Sequence, residues 1–247
     1  MKTDIMGLQF DNITMEEALD AAKALLQGEH AARVVTPNAE IAYEALHDEN
    51  MRTLLNSAEL MLPDGAGVVL AAKILKTPLK QKVAGVDFAD GLLGVLETTG
   101  QSLYLLGSKP GIGELAAQKM MQKHPRLRIA GIADGYFQDE APVIDKINAS
   151  GADVLFVCLG APKQELFMAK YGEATGCHLL MGLGGSMDIF AGVAQRAPEF
   201  YCKHNLEWFY RLVKNPSRIG RMMKLPLFLV HVAGQSLKEK LALRRLA

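Results

Sequence analysis

Asp64 is the side chain whose type and position most directly suggest chemistry. It follows the apolar run Leu60–Leu62 and Pro63, and it precedes the Gly-Ala-Gly sequence 65–67, where glycines let a ligand approach the backbone closely. A carboxylate at such a turn can act as a general base that takes a proton from a hydroxyl group. The same carboxylate can instead cap the helix that is predicted to begin near Ala66. The spacing supports both interpretations equally.

Four further turns, each polar or rich in glycine, also follow apolar runs. They are residues 36–40 (TPNAE), 107–111 (GSKPG), 160–165 (GAPKQE) and 182–188 (GLGGSMD). In an open α/β sheet, ligands bind beyond the carboxyl ends of the strands, so all five turns are expected to line one site. The candidate residues within these turns are Thr36, Asn38, Gly107, Ser108, Lys109, Gln164, Gly184 and Gly185.

Each of these turns also has an ordinary structural explanation. Thr36 can be only the end of a strand, and Asn38 can be a helix cap. Gln164 and Glu165 lie in the first turn of a predicted helix, where an acidic side chain favours the helix dipole. The GSKPG turn resembles a nucleotide-binding turn, and the N–H groups that follow it can hold a phosphate. It matches neither G-x-G-x-x-G nor a P-loop, so a structural turn is the more frequent explanation.

Motifs for metal or nucleophilic catalysis are absent from the sequence. No two aspartates are two positions apart, so no Asp-x-Asp pair can hold a divalent metal against a diphosphate, and HExxH, GxSxG and Walker A are missing. Protein cations would then have to stabilise a departing diphosphate. Arg211, Arg218 and Arg221 are the candidates, because spacings of seven and three residues can place them on one helix face. A solvated basic face is the alternative.

The charge of the chain is balanced overall but unevenly distributed. The 247 residues include 27 Lys/Arg and 27 Asp/Glu, which gives no argument for binding nucleic acid. Residues 196–247 hold eleven Lys/Arg and three Asp/Glu, so a basic tail follows an acidic body and suggests an anionic partner. The three cysteines are scattered without zinc-binding spacing, as in a reduced cytosolic protein. The N-terminus lacks the long apolar segment of a signal peptide.

Apolar runs alternate with helix-like segments along residues 1–195. The predicted strands are Ile5–Phe10, Arg33–Thr36, Leu60–Leu62, Ser102–Leu106, Arg128–Ile132, Val154–Leu159 and His178–Gly182. The predicted helices include Ala18–Leu26, behind a capping box at Thr14 and Glu17, and Ala39–His47, Ile112–His124 and Lys163–Tyr171. This alternation predicts a Rossmann-like α/β core, with an open, mostly parallel sheet and helices on both faces. Residues 196–247 are predicted to form a helical appendage.

The tail from Arg218 to Ala247 mixes apolar and basic residues at helical spacing. Its apolar run is interrupted by Pro226 and is too short to span a bilayer. Such a segment suits the interface of an anionic leaflet, where each basic residue contributes about 1 kcal/mol. An interface between subunits is the alternative.

Taken in order, these motifs resemble those of the WecG/TagA/CpsF glycosyltransferases, glycosyltransferase family 26. The resemblance covers about Ile5 to Arg221. Besides the five turns, it includes the residues AGVD (84–87), LLGSKPG (105–111), DGYF (134–137), RAP (196–198), LEW (206–208), Arg211 and PSR (216–218). So many ordered matches are specific, whereas any single turn is not.

The resemblance implies a metal-independent, inverting transferase that needs no cofactor. Its members move N-acetylmannosamine or a related sugar from a UDP-sugar to an undecaprenyl-diphosphate-linked acceptor, for wall teichoic acid or surface polysaccharide. Carried over, Asp64 is the base, Thr36 and Asn38 position the sugars, and Gln164 lies in the same pocket. Arg211, Arg218 and Arg221 would belong to an appendage that closes over the UDP diphosphate and touches the membrane. The expected location is the cytoplasmic face of the membrane, with self-association possible.

One departure from the family pattern is Lys82, where arginine is expected. Lysine keeps the charge but loses the bidentate fork, which puts a diphosphate or acceptor role for this position in doubt. Two other classes of protein compete with the transferase. An α/β oxidoreductase is disfavoured by the missing G-x-G-x-x-G fingerprint, and a non-catalytic protein whose basic tail docks on membranes would release no UDP.

Overall fold

The computed structural model of the protein describes residues 1–204 and 206–246, apart from the side chains of residues 203, 211, 218, 239 and 243–246. The strands are β1 Lys2–Ile5, β2 Leu8–Asp11, β3 Ala32–Val35, β4 Leu60–Met61, β5 Ser102–Gly107, β6 Arg128–Ala133, β7 Val154–Cys158 and β8 Leu179–Gly182. The helices are α1 Met15–Leu25, α2 Ala39–His47, α3 Glu49–Asn56, α4 Ala66–Ile74, α5 Gly85–Thr99, α6 Ile112–Lys123, α7 Ala141–Ser150, α8 Lys163–Thr175, α9 Ser186–Phe190, α10 Glu199–Lys203, α11 Glu207–Lys214, α12 Ile219–Met222 and α13 Lys224–Leu246, with a 3-10 turn at Pro216–Arg218.

The central sheet has six parallel strands in the order β4-β3-β8-β7-β5-β6. β7 and β8 are buried along their whole length, which explains why their sequences are short, uninterrupted apolar runs. Because the strands are parallel, their carboxyl ends meet at one edge of the sheet. The predicted fold class, an open α/β sheet with helices around it, is confirmed.

Alternate residues of each strand enter different cores on the two faces of the sheet. In β5, Leu105 belongs to the buried cluster that contains Phe88 and Leu92 of α5, whereas Leu106 belongs to the cluster that contains Phe167 of α8. Each side chain of this size contributes roughly 1.5–3 kcal/mol when it is fully buried. Two such layers hold the strand ends, and therefore the turns that follow them, in fixed positions.

The prediction of one strand over Ile5–Phe10 is wrong. β1 and β2 form an antiparallel hairpin outside the central sheet. Met6 and Gly7 form its turn with φ of 58° and 85°, the left-handed conformation that a two-residue hairpin loop needs. The Gly7 N–H donates to Asp4 Oδ1 at 3.1 Å, which supports the turn. Methionine is not typical of such turns, so the sequence signals the break only through Gly7.

Two of the predicted helix starts have the expected caps. Thr14 accepts a hydrogen bond from the Glu17 N–H at 3.2 Å, and Glu17 Oε2 accepts one from the Thr14 N–H at 2.8 Å. This reciprocal pair is the capping box that the spacing predicts. Asn38 caps α2, since its Oδ1 accepts from the N–H groups of Glu40 and Ile41 at 2.9 and 3.1 Å.

Helix α13 of the C-terminal segment, the name used below for the described residues of 196–247, returns to the core. Helix α13 packs on α2 and α4, and its Phe228 and Val232 are completely buried among residues of the core. The Ser236 hydroxyl donates to the Ile74 carbonyl at 3.2 Å. No helix within the described residues is both long enough and apolar enough to cross a bilayer.

Candidate active site

A cleft opens where the strands of the sheet end, beside the C-terminal segment. Its volume is about 560 Å³, which lies in the range of small-molecule sites. The predicted site residues that line it are Thr36, Asn38, Asp64, Gln164, Gly184, Gly185 and Arg221. A second cavity of about 100 Å³, called the side cavity below, shares Asn38, Asp64 and Arg221 with the cleft.

Asp64 lies at the boundary between the two cavities, because it lines both. Helix α4 has Gly65 at its N-cap with φ of 82°, so Asp64 stands one residue before the cap position. The Val83 N–H donates to the Pro63 carbonyl at 3.0 Å, which holds this turn against the rest of the core. Asp64 therefore borders both spaces, and a carboxylate at such a place can act as a general base.

Thr36 and Asn38 border the cleft from the end of β3. The Thr36 hydroxyl points to the Gly182 carbonyl at the end of β8, at 3.5 Å. A Cβ at Gly85 would lie 3.0 Å from Thr36 Oγ1, so α5 begins in close contact with this threonine. Asn38 uses its Oδ1 to cap α2, and the residue also lines the cleft. Both residues thus combine a structural role with a place in the cleft wall.

Ion pairs join the core to the C-terminal segment beside the cleft. Among the described side chains these pairs are Asp87–Arg196 (2.7 Å), Lys82–Glu207 (3.0 Å), Glu40–Arg221 (3.8 Å) and Glu44–Lys224. Arg221 and Lys224 both line the cleft. Since Glu40 and Glu44 are one helical turn apart, α2 holds both of these cations. The side chains of Arg211 and Arg218 lie outside the described part of the structure.

The residues of the GSKPG turn, all of which the structure describes, are not among those that line the cleft. Gly107 packs against the Cys158 carbonyl, where a Cβ would approach to 2.4 Å. Ser108, with φ of 61°, donates from its hydroxyl to Asp188 Oδ1 at 2.6 Å. Lys109 is exposed. Asp188 itself lines the cleft, so this turn contributes to the site through the carboxylate that Ser108 holds.

Comparison with known proteins identifies the chain. The model of the glycosyl transferase WecG/TagA/CpsF family matches residues 3–242. The chain belongs to this family. It is therefore a glycosyltransferase, and a hexosyltransferase in particular.

Curated relatives of this glycosyltransferase share one name. A Bacillus spizizenii protein is 38% identical over 201 residues, which cover 81% of this chain and 78% of that protein. A Bacillus subtilis protein is 34% identical over 97% of this chain and 94% of its own length. A Staphylococcus aureus protein is 34% identical over 98% and 96%. Each is named an N-acetylglucosaminyldiphosphoundecaprenol N-acetyl-beta-D-mannosaminyltransferase.

Gln164 joins two walls of the glycosyltransferase cleft. Its Oε1 accepts from the Gly184 N–H at 2.8 Å, and its Nε2 donates to Glu165 Oε1 at 2.9 Å. Burial raises the pKa of the Glu165 carboxyl above its ordinary value, and the charge of Glu44 adds to this effect. The oxygen and the nitrogen of the Gln164 amide thus both form hydrogen bonds within the protein, and the oxygen bonds to the turn after β8.

Several residues around the two cavities, or the contacts that they make, were not predicted from the sequence. Asp188 ends the GLGGSMD turn, but its role depends on a bond to Ser108, 80 positions away. Glu40 and Glu44 follow the Asn38 cap, and helical periodicity from that cap places them on one face of α2. Lys82, the departure from the family pattern, pairs with Glu207 of the C-terminal segment. A contact of this kind has no local signal in the sequence.

Proposed function

We propose that the protein transfers N-acetylmannosamine from UDP-N-acetylmannosamine to undecaprenyl-diphosphate-linked N-acetylglucosamine. Relatives that align over nearly all of the chain carry names for this transfer. The pathway served would be wall teichoic acid or another surface polysaccharide. UDP-N-acetylmannosaminuronic acid and UDP-glucose are the alternative donors, with the same acceptor class.

The observation that carries the proposal is the place of Asp64 between the cleft and the side cavity. The cleft is large enough for a sugar nucleotide. The side cavity is bordered by Trp208, Met222 and Leu225, which give an apolar wall on the side of the C-terminal segment. A sugar attached to a lipid diphosphate would approach from that side, and its hydroxyl would meet the Asp64 carboxylate.

The proposed reaction is a single displacement with inversion at the anomeric carbon. Asp64 takes the proton of the acceptor hydroxyl while that oxygen forms the new bond to the anomeric carbon. The bond from this carbon to the β-phosphate oxygen breaks, and its electron pair leaves with UDP. The transition state has the oxocarbenium character known from glycoside hydrolysis. Thr36 and Asn38 would fix the sugars in register with the carboxylate.

Cations of the C-terminal segment would stabilise the departing diphosphate, without a metal ion. Arg221 and Lys224 line the cleft, and Arg211 and Arg218 remain predicted contributors. The Glu40 and Glu44 carboxylates hold the two described cations at the cleft. Fixed charges of this kind act where negative charge develops.

We also propose that the C-terminal segment meets the anionic cytoplasmic face of the membrane. Ile219, Met223, Leu227 and Val230 are exposed apolar residues of this segment, and basic residues lie among them. An amphipathic surface of this composition binds such interfaces reversibly. Self-association through the same surface is the alternative, and sedimentation with phosphatidylglycerol vesicles, compared with the mass in solution, separates the two.

A donor screen tests the function. The three UDP-sugars are offered with a synthetic lipid-diphosphate N-acetylglucosamine, and UDP release and the anomeric configuration of the product are measured. N-acetylmannosamine transfer with inversion, undiminished by EDTA, is expected. UDP release that does not depend on the acceptor, or a product with retained configuration, would contradict the proposal.

A further inference from the structure

Glu165 is a buried acid next to the cleft, and the proposed chemistry does not use it. Among the residues that the structure describes, it is the only acidic side chain in the buried core, 3% exposed. Its Oε1 accepts the bond from Gln164, and its Oε2 is buried without a hydrogen-bond partner. Burying an incompletely paired carboxyl group opposes folding. Its position therefore calls for a reason other than stability.

The neighbours of Gln164 fix the orientation of its amide group. The Gly184 N–H can only donate, so the amide atom that faces it at 2.8 Å must be the oxygen. The Nε2 group, which can only donate, then faces Glu165, whose carboxyl oxygen accepts. Without an acceptor at position 165, Nε2 would be buried and unpaired. Rotation of the amide would not relieve this, because Nε2 would then face the Gly184 N–H, which is also a donor, and the bond to Gly184 would be lost.

The orientation of the Gln164 amide matters because the amide supports one wall of the cleft. Gly184 has a left-handed backbone with φ of 51°, and it borders the cleft together with Gly185. A Cβ at Gly182 would lie 2.8 Å from Gln164 Nε2, so the amide packs directly on the end of β8. The Gly182 carbonyl is also the group to which Thr36 Oγ1 points. A continuous set of contacts thus runs from Glu165 through Gln164 to Thr36.

We propose that Glu165 is a positioning residue for sugar transfer, which locks the Gln164 amide and thereby the turn 182–185 of the cleft. This inference rests on the proposed function of the cleft. The groups that border the cleft are Thr36, Gln164 and the turn, and Glu165 acts through them. A protonated carboxyl suffices for this role, because its carbonyl oxygen is the acceptor.

Two substitutions at position 165 separate positioning from bulk structure. Glu165→Gln keeps a carbonyl acceptor, so its kcat should stay within about threefold of wild type. Glu165→Leu keeps the volume but removes the acceptor, and a displaced wall should lower kcat by about tenfold or more, with a smaller change in donor KM. Glu173→Gln, an exposed glutamate on the same helix, is the control and should leave both parameters unchanged. A folded Glu165→Leu with wild-type kcat would overturn the inference, as would a Glu165→Gln variant impaired as severely as the leucine.

A second measurement needs no substrate. The NMR resonances of the Gln164 side-chain amide are assigned through their loss in Gln164→Glu. The protons that give these resonances should exchange slowly with solvent in wild type and in Glu165→Gln. They should shift and lose protection in Glu165→Leu or, if that variant does not fold, in Glu165→Asp, which withdraws the acceptor by one methylene. Unchanged resonances in the folded variant would refute the positioning role. Because this signal exists without turnover, it can hold even if the donor screen finds no transfer.

Discussion

At the scale of single residues, the position of Asp64 combines contact with two cavities and a neighbouring glycine of constrained backbone. It borders the cleft and the side cavity at once, and Gly65 beside it adopts a backbone with φ of 82° that favours glycine. The turn therefore depends on the backbone conformation that Gly65 adopts. The proposed base thus directly precedes a glycine whose backbone conformation the turn requires.

Replacing Asp64 by asparagine should separate catalysis from binding. The amide has nearly the same shape but cannot take the proton, so kcat should fall by about 100-fold or more. Affinity for UDP, measured by calorimetry, should change by no more than about threefold, because the base acts on the acceptor. Asp20→Asn, an exposed substitution on α1, is the control. Turnover close to wild type in Asp64→Asn would remove this residue from the mechanism.

The burial of Glu165 predicts a dependence of stability on pH. Its pKa is raised in the folded protein, so the folded state holds the proton more tightly than the unfolded state does. The free energy of unfolding should therefore fall as pH rises from about 4.5 through the raised pKa, and then level off. Glu165→Gln should lack this component, which urea unfolding at a series of pH values would measure. If the free energy of unfolding changed with pH in the same way for wild type and Glu165→Gln, this prediction would be contradicted.

Whether the sequence predicts a site residue depends on how far apart along the chain the residues that position it lie. Asp64, Thr36 and Asn38 are accessible to prediction because each follows a strand, and strand ends converge in a parallel sheet. Ser108 stays a predicted site residue, and its hydroxyl donates to Asp188, which lines the cleft. Only the assembled fold brings these two side chains together, and no local pattern encodes their bond.

At the scale of elements, ion pairs between partly exposed side chains add to the attachment of the C-terminal segment beside the cleft. In the Lys82–Glu207 pair the side chains are 23% and 21% exposed, so water screens the attraction only in part. Pairs of this kind typically contribute up to about 1 kcal/mol. The attachment is therefore cumulative, and no single pair decides it.

A charge exchange tests this pair. Lys82→Glu and Glu207→Lys should each lower the free energy of unfolding by about 1 kcal/mol, because each places like charges together. The double variant should recover most of the loss, which denaturant titrations of the four proteins would show as a coupling energy. Strictly additive losses would mean that the two side chains do not interact in solution.

The sequence predicts the order of helices and strands better than it predicts which of them contact each other. Alternation of apolar runs and helical periods indicated the parallel sheet, because both signals are local. The hairpin of β1 and β2 escaped prediction, since Met6 gives no sign of its left-handed turn. The return of α13 to the core was also hidden, because its apolar residues equally suit a membrane or a partner surface.

At the scale of the whole molecule, α13 belongs to the folded body through Phe228 and Val232. Phe228→Ala should lower the free energy of unfolding by about 3–5 kcal/mol, the usual loss for a buried phenylalanine. Val230→Ala, at an exposed position of the same helix, should cost less than about 0.5 kcal/mol. Equal effects of the two substitutions in denaturant titrations would mean that α13 leaves the core in solution.

Helix α2 has two sets of neighbours. Its first residue follows Asn38 at the cleft, whereas its outer face bears the acids that hold Arg221 and Lys224 and packs on α13. If binding of a ligand in the cleft is coupled to the packing of α13 through this helix, thermodynamic linkage makes the effect reciprocal: loosening α13 weakens ligand binding by the same factor with which the ligand tightens α13. One helix of nine residues thus contacts both the cleft and α13.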